Sequence, residues 1–410
     1  MPENKPVAKW HSGKAKLRPG LAAALSVVLL AQPLGLTPAY AYVLNRTVAA
    51  SGGCPQPNRF NVATAGIIDR RWSTSLNTNP VTILTTATDA TARLDEIEQS
   101  VLRSFSVWAN VAGASLTPAA YAPIQRTTTQ SACTSNDGLN TICFNQASTA
   151  FTGGVLAFTR VVQSDIVGEK PFANSPASAF IGEILDADIL FLPDDGTRTF
   201  ATPSALPANT NSFDLESVLI HELGHFFGFS HSGVWRAMMY PFAPPRGTFL
   251  GDRPTTEVPD GPLSDDDRTG LRVLYPDDSN TTFRGAISGR ILPANILTLS
   301  QLPTTAPGEA VTGIFGSHVI AVDAATGSVI AATLGGWSCS TGDAHAKFDG
   351  TYILERLPVG RSYKIFVEPF DLPVEFGDIQ GAVLDLCRDD VPNNCTVPAL
   401  QTNFTTRIRP

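Results

Sequence analysis

The residues His221, Glu222, His225 and His231 lie in one short segment, HELGHFFGFSH at 221–231. On a helix, His221 and His225 are one turn apart, so both imidazoles project from the same face and can share a cation. Gly228 can adopt a positive φ, and a turn at this point brings His231 back toward the pair. Catalytic zinc sites use three such neutral ligands and keep a fourth position open. The spacing predicts a zinc ion bound by the three histidines.

Glu222 stands beside the first histidine and is not needed as a ligand. There it can take a proton from a water molecule whose pKa zinc lowers to about 7. A His-Glu-x-x-His match alone can arise by accident. Here five positions of an eleven-residue pattern agree, and the chain has no other histidine between Tyr42 and Pro276. The pattern predicts a hydrolytic zinc site with Glu222 as general base and then general acid.

Three helices are predicted around this segment. The first is predicted by apolar residues that recur every three or four positions and so lie on one helical face: Leu94, Ile97, Val101, Phe105 and Trp108. Thr88 or Asp89 can cap the start of this helix. The second begins near Ser212 or Asp214 and carries the histidine pair. The third covers 265–275, where three leading aspartates suit the positive end of the helix dipole.

Strands are predicted before and after these helices. Short apolar runs predict them at 141–144, 154–159 and 184–192, after an early strand within 60–68 and before a polar loop at 193–212. Beyond a break at 277–282 the chain becomes a series of short β-rich runs separated by turns: 285–292, 318–322, 328–333, 351–357 and 363–368. This second pattern is typical of an antiparallel β-sandwich.

The histidine pattern, followed by a methionine-containing turn, resembles the metzincin peptidases. The turn is Ala237-Met238-Met239-Tyr240-Pro241, and Met239, directly before Tyr-Pro, is the better match to the family methionine. Ser232 and the segment LSDDDRTGLRVLY at 263–275 are similar to the matrixin branch, the matrix-metalloproteinase type. The resemblance covers about 56–276.

The resemblance implies an α+β fold, a metzincin catalytic domain with a twisted mixed sheet and an active-site helix. It implies that Met239 forms an apolar floor under the metal, and that Asp266 and Asp267 support the methionine turn. It also implies that the strand at 154–159 is an edge strand that pairs with an extended peptide substrate. Residues 283–410 resemble a carboxypeptidase regulatory-like or transthyretin-like sandwich, a small all-β domain. The expected division is a signal peptide at 1–41, a peptidase domain at 42–276, a linker at 277–282 and the sandwich at 283–410.

Some family features are missing or changed. The further histidines of a structural zinc are absent, and Phe158 stands where the edge strand would carry one, so we predict one zinc. Asp188, Asp194 and Asp195 could supply oxygen ligands to calcium. We favour the alternative that these residues form a solvated acidic loop. In the family, a Pro-x-Tyr segment forms the wall of the specificity pocket. This chain has Pro-Phe-Ala at 241–243 instead, so the depth and substrate preference of the family's pocket do not carry over.

The N-terminus predicts export. A basic stretch to Arg18, an apolar stretch at 21–36 and an Ala-x-Ala site at 39–41 are typical of a cleaved signal peptide. The apolar stretch is short and broken for a membrane span, and we expect none in the mature chain. Residues 1–41 hold five of the 29 basic and one of the 37 acidic residues, so 24 basic and 36 acidic residues remain after cleavage. Because such an acidic chain repels the phosphate backbone, nucleic-acid binding is disfavoured.

All six cysteines follow the predicted cleavage site, as expected for disulfides in an exported protein. Proximity favours Cys133 with Cys143, and Cys387 with Cys395 or Cys339. Cys54 is expected to be disulfide-bonded, the alternative being a thiolate that blocks the metal in a latent form. His318 and His345 in the second domain are interpreted as surface residues.

Together these features predict a secreted or periplasmic zinc endopeptidase that acts on proteins or peptides, as a monomer. The alternative is a non-catalytic secreted binding or adhesion protein with a vestigial zinc site. The presence of Glu222 argues against it. An astacin-like branch is disfavoured by Ser232 and by the segment at 263–275.

Overall fold

The computed structural model describes the chain in several stretches. These are 43–62, 83–116, 137–144, 151, 154–172, 177–192, 197–248, 261–294, 311–370, 386–387 and 397–398, with the backbone of strands at 7–14, 25–32, 71–73, 125–127 and 407–409. The predicted strand within 60–68 lies largely outside them. Within the described residues, no helix is long and apolar enough to cross a membrane.

Each of the three predicted helices is present: α1 (Ala90–Ala109), α2 (Leu215–Phe226) and α3 (Asp265–Leu274). Side-chain caps explain where they begin. Asp89 accepts from the Ala92 N–H, and Asp214 accepts from the first-turn N–H groups of α2. Ser264 and Asp267 form a reciprocal capping box on α3. Each cap satisfies donors that the first turn cannot pair internally.

The first two-thirds of the chain contain thirteen described strands, most of them short. They are β1 (Val7–Lys14), β2 (Leu25–Gln32), β3 (Arg46–Thr47), β4 (Gln56–Pro57), β5 (Arg71–Ser73), β6 (Ile83–Leu84), β7 (Gln125–Thr127), β8 (Thr141–Cys143), β9 (Ala157–Gln163), β10 (Ile184–Phe191), β11 (Phe200–Ala201), β12 (Phe213–Asp214) and β13 (Phe242–Ala243). β11 and a 3-10 turn at Leu206–Ala208 lie within the stretch 193–212, where a polar loop was predicted, and β12 follows directly after it.

The main sheet has the order β7-β5-β8-β10-β9. β9 runs antiparallel to β10, and the other neighbours are parallel, so the sheet is mixed. β9 is the edge strand, as predicted. It begins at Ala157 rather than at Gly154, because Gly154 has φ +146° and lies in a turn. A mixed sheet with three helices agrees with the α+β class.

A shared core positions α2 behind this sheet. Trp108 of α1 is fully buried and donates its indole N–H to the Ile220 carbonyl of α2 at 2.9 Å. The apolar face predicted for α1 packs in the same cluster as Leu219 and Leu223. Every residue of α2 is buried, so the helix is fixed on all sides.

The N-terminal strands form an antiparallel hairpin, in which Val7 pairs with Gln32 and Lys14 with Leu25. β1 also pairs with β13, Ala8 opposite Ala243. Cleavage after Ala41 stays a prediction.

The last third contains six further strands. They are β14 (Phe283–Arg290), β15 (Ser317–Asp323), β16 (Val329–Gly335), β17 (Thr351–Pro358), β18 (Tyr363–Pro369) and β19 (Arg407–Arg409). β14 pairs with β17, and a second sheet has the order β16-β15-β18-β19, all antiparallel. We call residues 283–294 and 311–370 the C-terminal β-region. The β-sandwich interpretation stays a prediction.

The C-terminal β-region packs directly on the preceding part of the chain. Ile330 and Leu357 belong to the same buried cluster as Leu271 and Tyr275. Arg272 stacks on the Phe283 ring, with its guanidinium carbon 3.6 Å from the ring centroid. The interpretation of His318 as a surface residue was wrong, since its side chain is fully buried and contacts Glu368 at 3.1 Å. His345 is half-buried.

A disulfide joins Cys54 to Cys339, across 285 positions of sequence. The prediction that Cys54 is disulfide-bonded is confirmed. The alternative that pairs Cys387 with Cys339 was wrong. Cys143 and Cys387 are also disulfide-bonded. Their predicted partners, Cys133 and Cys395, lie outside the described residues. Sequence proximity misled because folding brings the N-terminal segment against the C-terminal β-region.

Candidate metal centre

The helix α2 places His221 and His225 on one face, as their spacing predicts. Their Nε2 atoms are 3.0 Å apart, and each side chain is about 1% exposed. Both imidazoles are therefore enclosed by protein.

A sharp turn at Gly228 brings the third histidine to the pair. Gly228 has φ +108°, and the N–H of Phe229 reaches back to the Gly224 carbonyl at 3.0 Å, which closes the helix end. A Cβ at Gly228 would lie 2.0 Å from the Asn58 carbonyl oxygen, so the close approach also requires glycine. His231 follows fully buried, and the ligand atoms of the three histidines all lie within 4.8 Å of one another.

Main-chain carbonyls orient two of the imidazoles. The Nδ1 atom of His221 lies 2.7 Å from the Met238 carbonyl oxygen, and that of His225 lies 2.8 Å from the Phe229 carbonyl oxygen. A carbonyl only accepts, so Nδ1 carries the proton and Nε2 presents its lone pair to the centre. Burial lowers the pKa of His221 well below its usual value, assisted by the neighbouring histidines. Burial also lowers the pKa of His225 to about 4.

This donor set fits zinc. Both oriented imidazoles are neutral at physiological pH, which is the ligand form, and zinc takes nitrogen ligands at about 2.0–2.1 Å. Two such nitrogens in a tetrahedral site are about 3.3 Å apart, close to the 3.0 Å found here. Among the described residues, no other group of three histidine, cysteine or acidic side chains has ligand atoms suitably close.

Glu222 lies beside the triad and is fully buried. Its Oε2 accepts a hydrogen bond from the Thr159 hydroxyl at 2.6 Å, and its Oε1 has no partner among the described residues. Burial raises the pKa of Glu222 well above its usual value, and the Thr159 hydrogen bond opposes this shift. A cation nearby would lower it, because an opposite charge favours the ionised carboxylate.

The methionine turn lies under the triad. Met239 is fully buried, and a Cβ at Gly224 would lie 2.0 Å from its Sδ atom, so the sulfur packs against α2 between the first two histidines. Asp267 accepts from the N–H groups of Met238 at 2.8 Å and Met239 at 3.2 Å. The expectation that Asp267 supports this turn is confirmed.

Comparison with known proteins agrees with this geometry. Residues 71–276, half of the chain, match the matrixin family. The chain belongs to the matrixin family. The expected metzincin α+β fold follows from this membership. The matrixin family implies a catalytic zinc, usually accompanied by calcium.

Individual matrixins match over shorter stretches. Metalloendoproteinase 1 of Glycine max is 47% identical over 93 residues, 21% of this chain and 27% of the relative. Metalloendoproteinase 2-MMP of Arabidopsis thaliana is 32% identical over 123 residues, 30% of this chain and 27% of the relative. Matrix metalloproteinase-25 of Mus musculus is 31% identical over 122 residues, 30% of this chain and 18% of the relative. The chain thus spans about a quarter or less of these curated relatives.

The predicted solvated acidic loop was wrong for Asp188. This side chain is 1% exposed in β10, and its Oδ1 accepts from the Thr141 N–H at 3.1 Å. Burial raises the pKa of Asp188 well above its usual value. Asp186 and Asp137 raise it further, whereas Arg160 opposes the shift. Calcium binding here stays a prediction, and Asp194 and Asp195 lie outside the described residues.

The role of Thr159 was not predicted. Its strand was identified as a substrate-binding edge, but nothing in the local sequence relates this hydroxyl to a glutamate 63 residues away. The available signal is that Thr159 lies next to apolar residues in a strand that is largely buried. A polar residue at a fully buried strand position needs a partner, which points to the adjacent helix.

Proposed function

We propose that this matrixin is a secreted zinc-dependent endopeptidase that hydrolyses peptide bonds in proteins. His221, His225 and His231 are the zinc ligands, and Glu222 is the general base. The observation that carries the proposal is the convergence of three buried histidines beside a buried carboxylate, one of whose oxygens has no partner among the described residues. A purely structural role for Glu222 would not explain why Oε1 of this buried side chain has no donor in the part of the chain that the structure describes.

A zinc ion held by the three histidines would act as a Lewis acid on the scissile carbonyl and would lower the pKa of a water molecule to about 7. The role of Glu222 would be to accept a proton from the attacking water and then to deliver it to the leaving amine. Thr159 holds Oε2, which leaves Oε1 for the transfer. Met239 excludes water from beneath the ligands.

The substrate we propose is an extended protein segment. β9 forms the rim of the main sheet, and β2 of the predicted signal peptide lies close to it. In the mature chain, without β2, the outer edge of β9 would offer main-chain groups to which a peptide can add as a further strand. Thr159 belongs to this strand, so substrate and base are held by one element.

Secretion is supported by the N-terminal pattern and by the disulfide between Cys54 and Cys339, since such bonds persist in oxidising compartments. N-terminal sequencing of the exported protein tests it. We expect the mature chain to begin at Tyr42.

The catalytic assignment is tested with Glu222→Gln, which keeps the shape of the side chain but cannot accept the proton. We expect cleavage of an unfolded protein substrate to fall by about 10²–10⁴-fold, with about one zinc still bound per chain. Glu216→Gln is the matched control, since Glu216 is a buried glutamate of α2 paired with Arg103 rather than with the triad. Unchanged cleavage by Glu222→Gln would refute the role of this residue.

A further inference from the structure

We propose that the C-terminal β-region helps to position the metal ligand His231. Through Asp266, strand β16 fixes the segment between His231 and Met239. Asp266 is then a positioning residue. This inference rests on the proposed function, which assigns His231 to the metal.

A single buried carboxylate connects the two regions. Asp266 of α3 is fully buried, and its Oδ2 accepts from the Ser232 hydroxyl at 2.8 Å. Its Oδ1 accepts from the Ala332 N–H of β16, also at 2.8 Å. Ser232 directly follows His231, so one residue separates the third histidine from a link to the C-terminal β-region.

The strand β16 is suited to this link because it is an edge strand. It pairs with β15 on one side, and on the other it presents main-chain groups to α3. Two residues before Ala332, the Ile330 carbonyl accepts from the Thr269 hydroxyl at 3.1 Å. Main-chain groups two residues apart point to the same side of a strand. α3 therefore occupies the place of a further strand, in which Asp266 is the hydrogen-bond acceptor and Thr269 is the donor.

Apolar side chains of the C-terminal β-region pack against the same segment, residues 232–240. Val234 and Ala237 share a buried cluster with Ile320 of β15 and Ala332 of β16. After Met239, Tyr240 belongs to a second buried cluster with Phe315 and Leu334, residues of the C-terminal β-region. These contacts involve residues before and after the Met238-Met239 pair.

The segment itself is a closed loop. The Ser232 N–H donates to the Met239 carbonyl at 2.7 Å, and the Ser232 hydroxyl also accepts from the Val234 N–H at 3.0 Å. Moving Ser232 therefore moves His231 at one end of the loop and Met239 at the other. Residues that orient metal ligands typically change metal affinity by about 10–100-fold when replaced.

The test uses Asp266→Ala in the full mature chain. We expect the zinc dissociation constant, measured by competition with a chelating dye, to rise by about tenfold. The visible spectrum of the cobalt(II)-substituted protein should change, because it reports ligand geometry. kcat should fall more than KM rises. Ser232→Ala, which removes the hydroxyl alone, should change the same quantities less.

The matched control is Asp323→Ala. Asp323 is a buried carboxylate of the C-terminal β-region that accepts from the Ala325 N–H and pairs with Arg361, and both partners lie outside the loop at 232–240. We expect it to lower stability and to leave the zinc affinity and cobalt spectrum unchanged.

Wild-type zinc affinity and cobalt spectrum in both Asp266→Ala and Ser232→Ala would overturn the inference. If Asp266→Ala does not fold, Ser232→Ala decides by the same two readouts. A wild-type chain that binds no zinc would instead refute the proposed function, and the inference with it.

Discussion

The Thr159 hydroxyl donates to the Glu222 carboxylate at 2.6 Å and lies 3.0 Å from the Glu222 main-chain carbonyl. This contact joins β9, the edge strand, to α2, the helix with the first two histidines. It fixes one carboxylate oxygen and leaves the other, Oε1, without a hydrogen-bond partner among the described residues. The proposed base is therefore oriented by the same strand that we expect to bind the substrate.

Thr159→Val keeps the shape of the side chain and removes the hydroxyl. A hydrogen bond to a charged group contributes about 1.5–3 kcal/mol, so we expect kcat to fall by about tenfold or more. Because the lost bond lowered the pKa of Glu222, the acid limb of the kcat–pH profile should move to higher pH. Thr141→Val, at another buried threonine of the same sheet, should retain activity. An unmoved acid limb would contradict the orienting role.

Gly224→Ala tests the packing of Met239. The added Cβ would lie 2.0 Å from the Met239 Sδ and 3.0 Å from the Trp108 ring. We expect the free energy of unfolding to fall by about 1–3 kcal/mol and zinc to bind more weakly. Met239→Ala in the same chain makes room, so the two losses should be less than additive in denaturant titrations. Strict additivity would show that the two residues do not share this space.

Asp214 makes stability depend on pH. Burial raises its pKa to about 7, against hydrogen bonds from Ser217 that lower it. Between pH 4 and 7 the folded chain then holds a proton that the unfolded chain has lost, so stability falls as pH rises, by up to about 4 kcal/mol. Asp214→Asn should remove this slope in denaturant titrations of the zinc-free chain. An identical slope in both proteins would refute the assignment.

The disulfide between Cys54 and Cys339 should stabilise the chain without regulating it. Replacing both residues by serine should lower the free energy of unfolding by about 2–5 kcal/mol, since the bond spans 285 positions. Zinc content should not change. Mild reduction should not raise peptidase activity, because Cys54 is not a thiolate on the metal. Activation by reduction would revive the latency alternative.

Local sequence was sufficient for the helices and for the triad. The spacing of His221 and His225 has meaning only on a helix, and Gly228 marks the turn that returns His231. Asp267 was also predictable, because its place in the closing helix resembles the family pattern. These features depend on residues that lie within about one turn or one motif of each other.

Contacts between distant segments were not predictable. Neither the disulfide of Cys54 nor the link from Asp266 to Ala332 leaves a periodic signal, since each partner lies in a different part of the chain. His318 was misjudged for the same reason, because its burial depends on Glu368 and Phe370 of the neighbouring strand region. Such contacts follow from how the sheets and helices pack.

The most direct test of the central claim is cleavage of an unfolded protein by the purified mature chain, before and after removal of zinc by a chelator. We expect cleavage to stop when zinc is removed and to return when about one zinc per chain is restored. Cleavage that continues without zinc would contradict the account. Zinc bound at this ratio without cleavage of any protein substrate would also contradict it, and would favour a binding protein with a vestigial site.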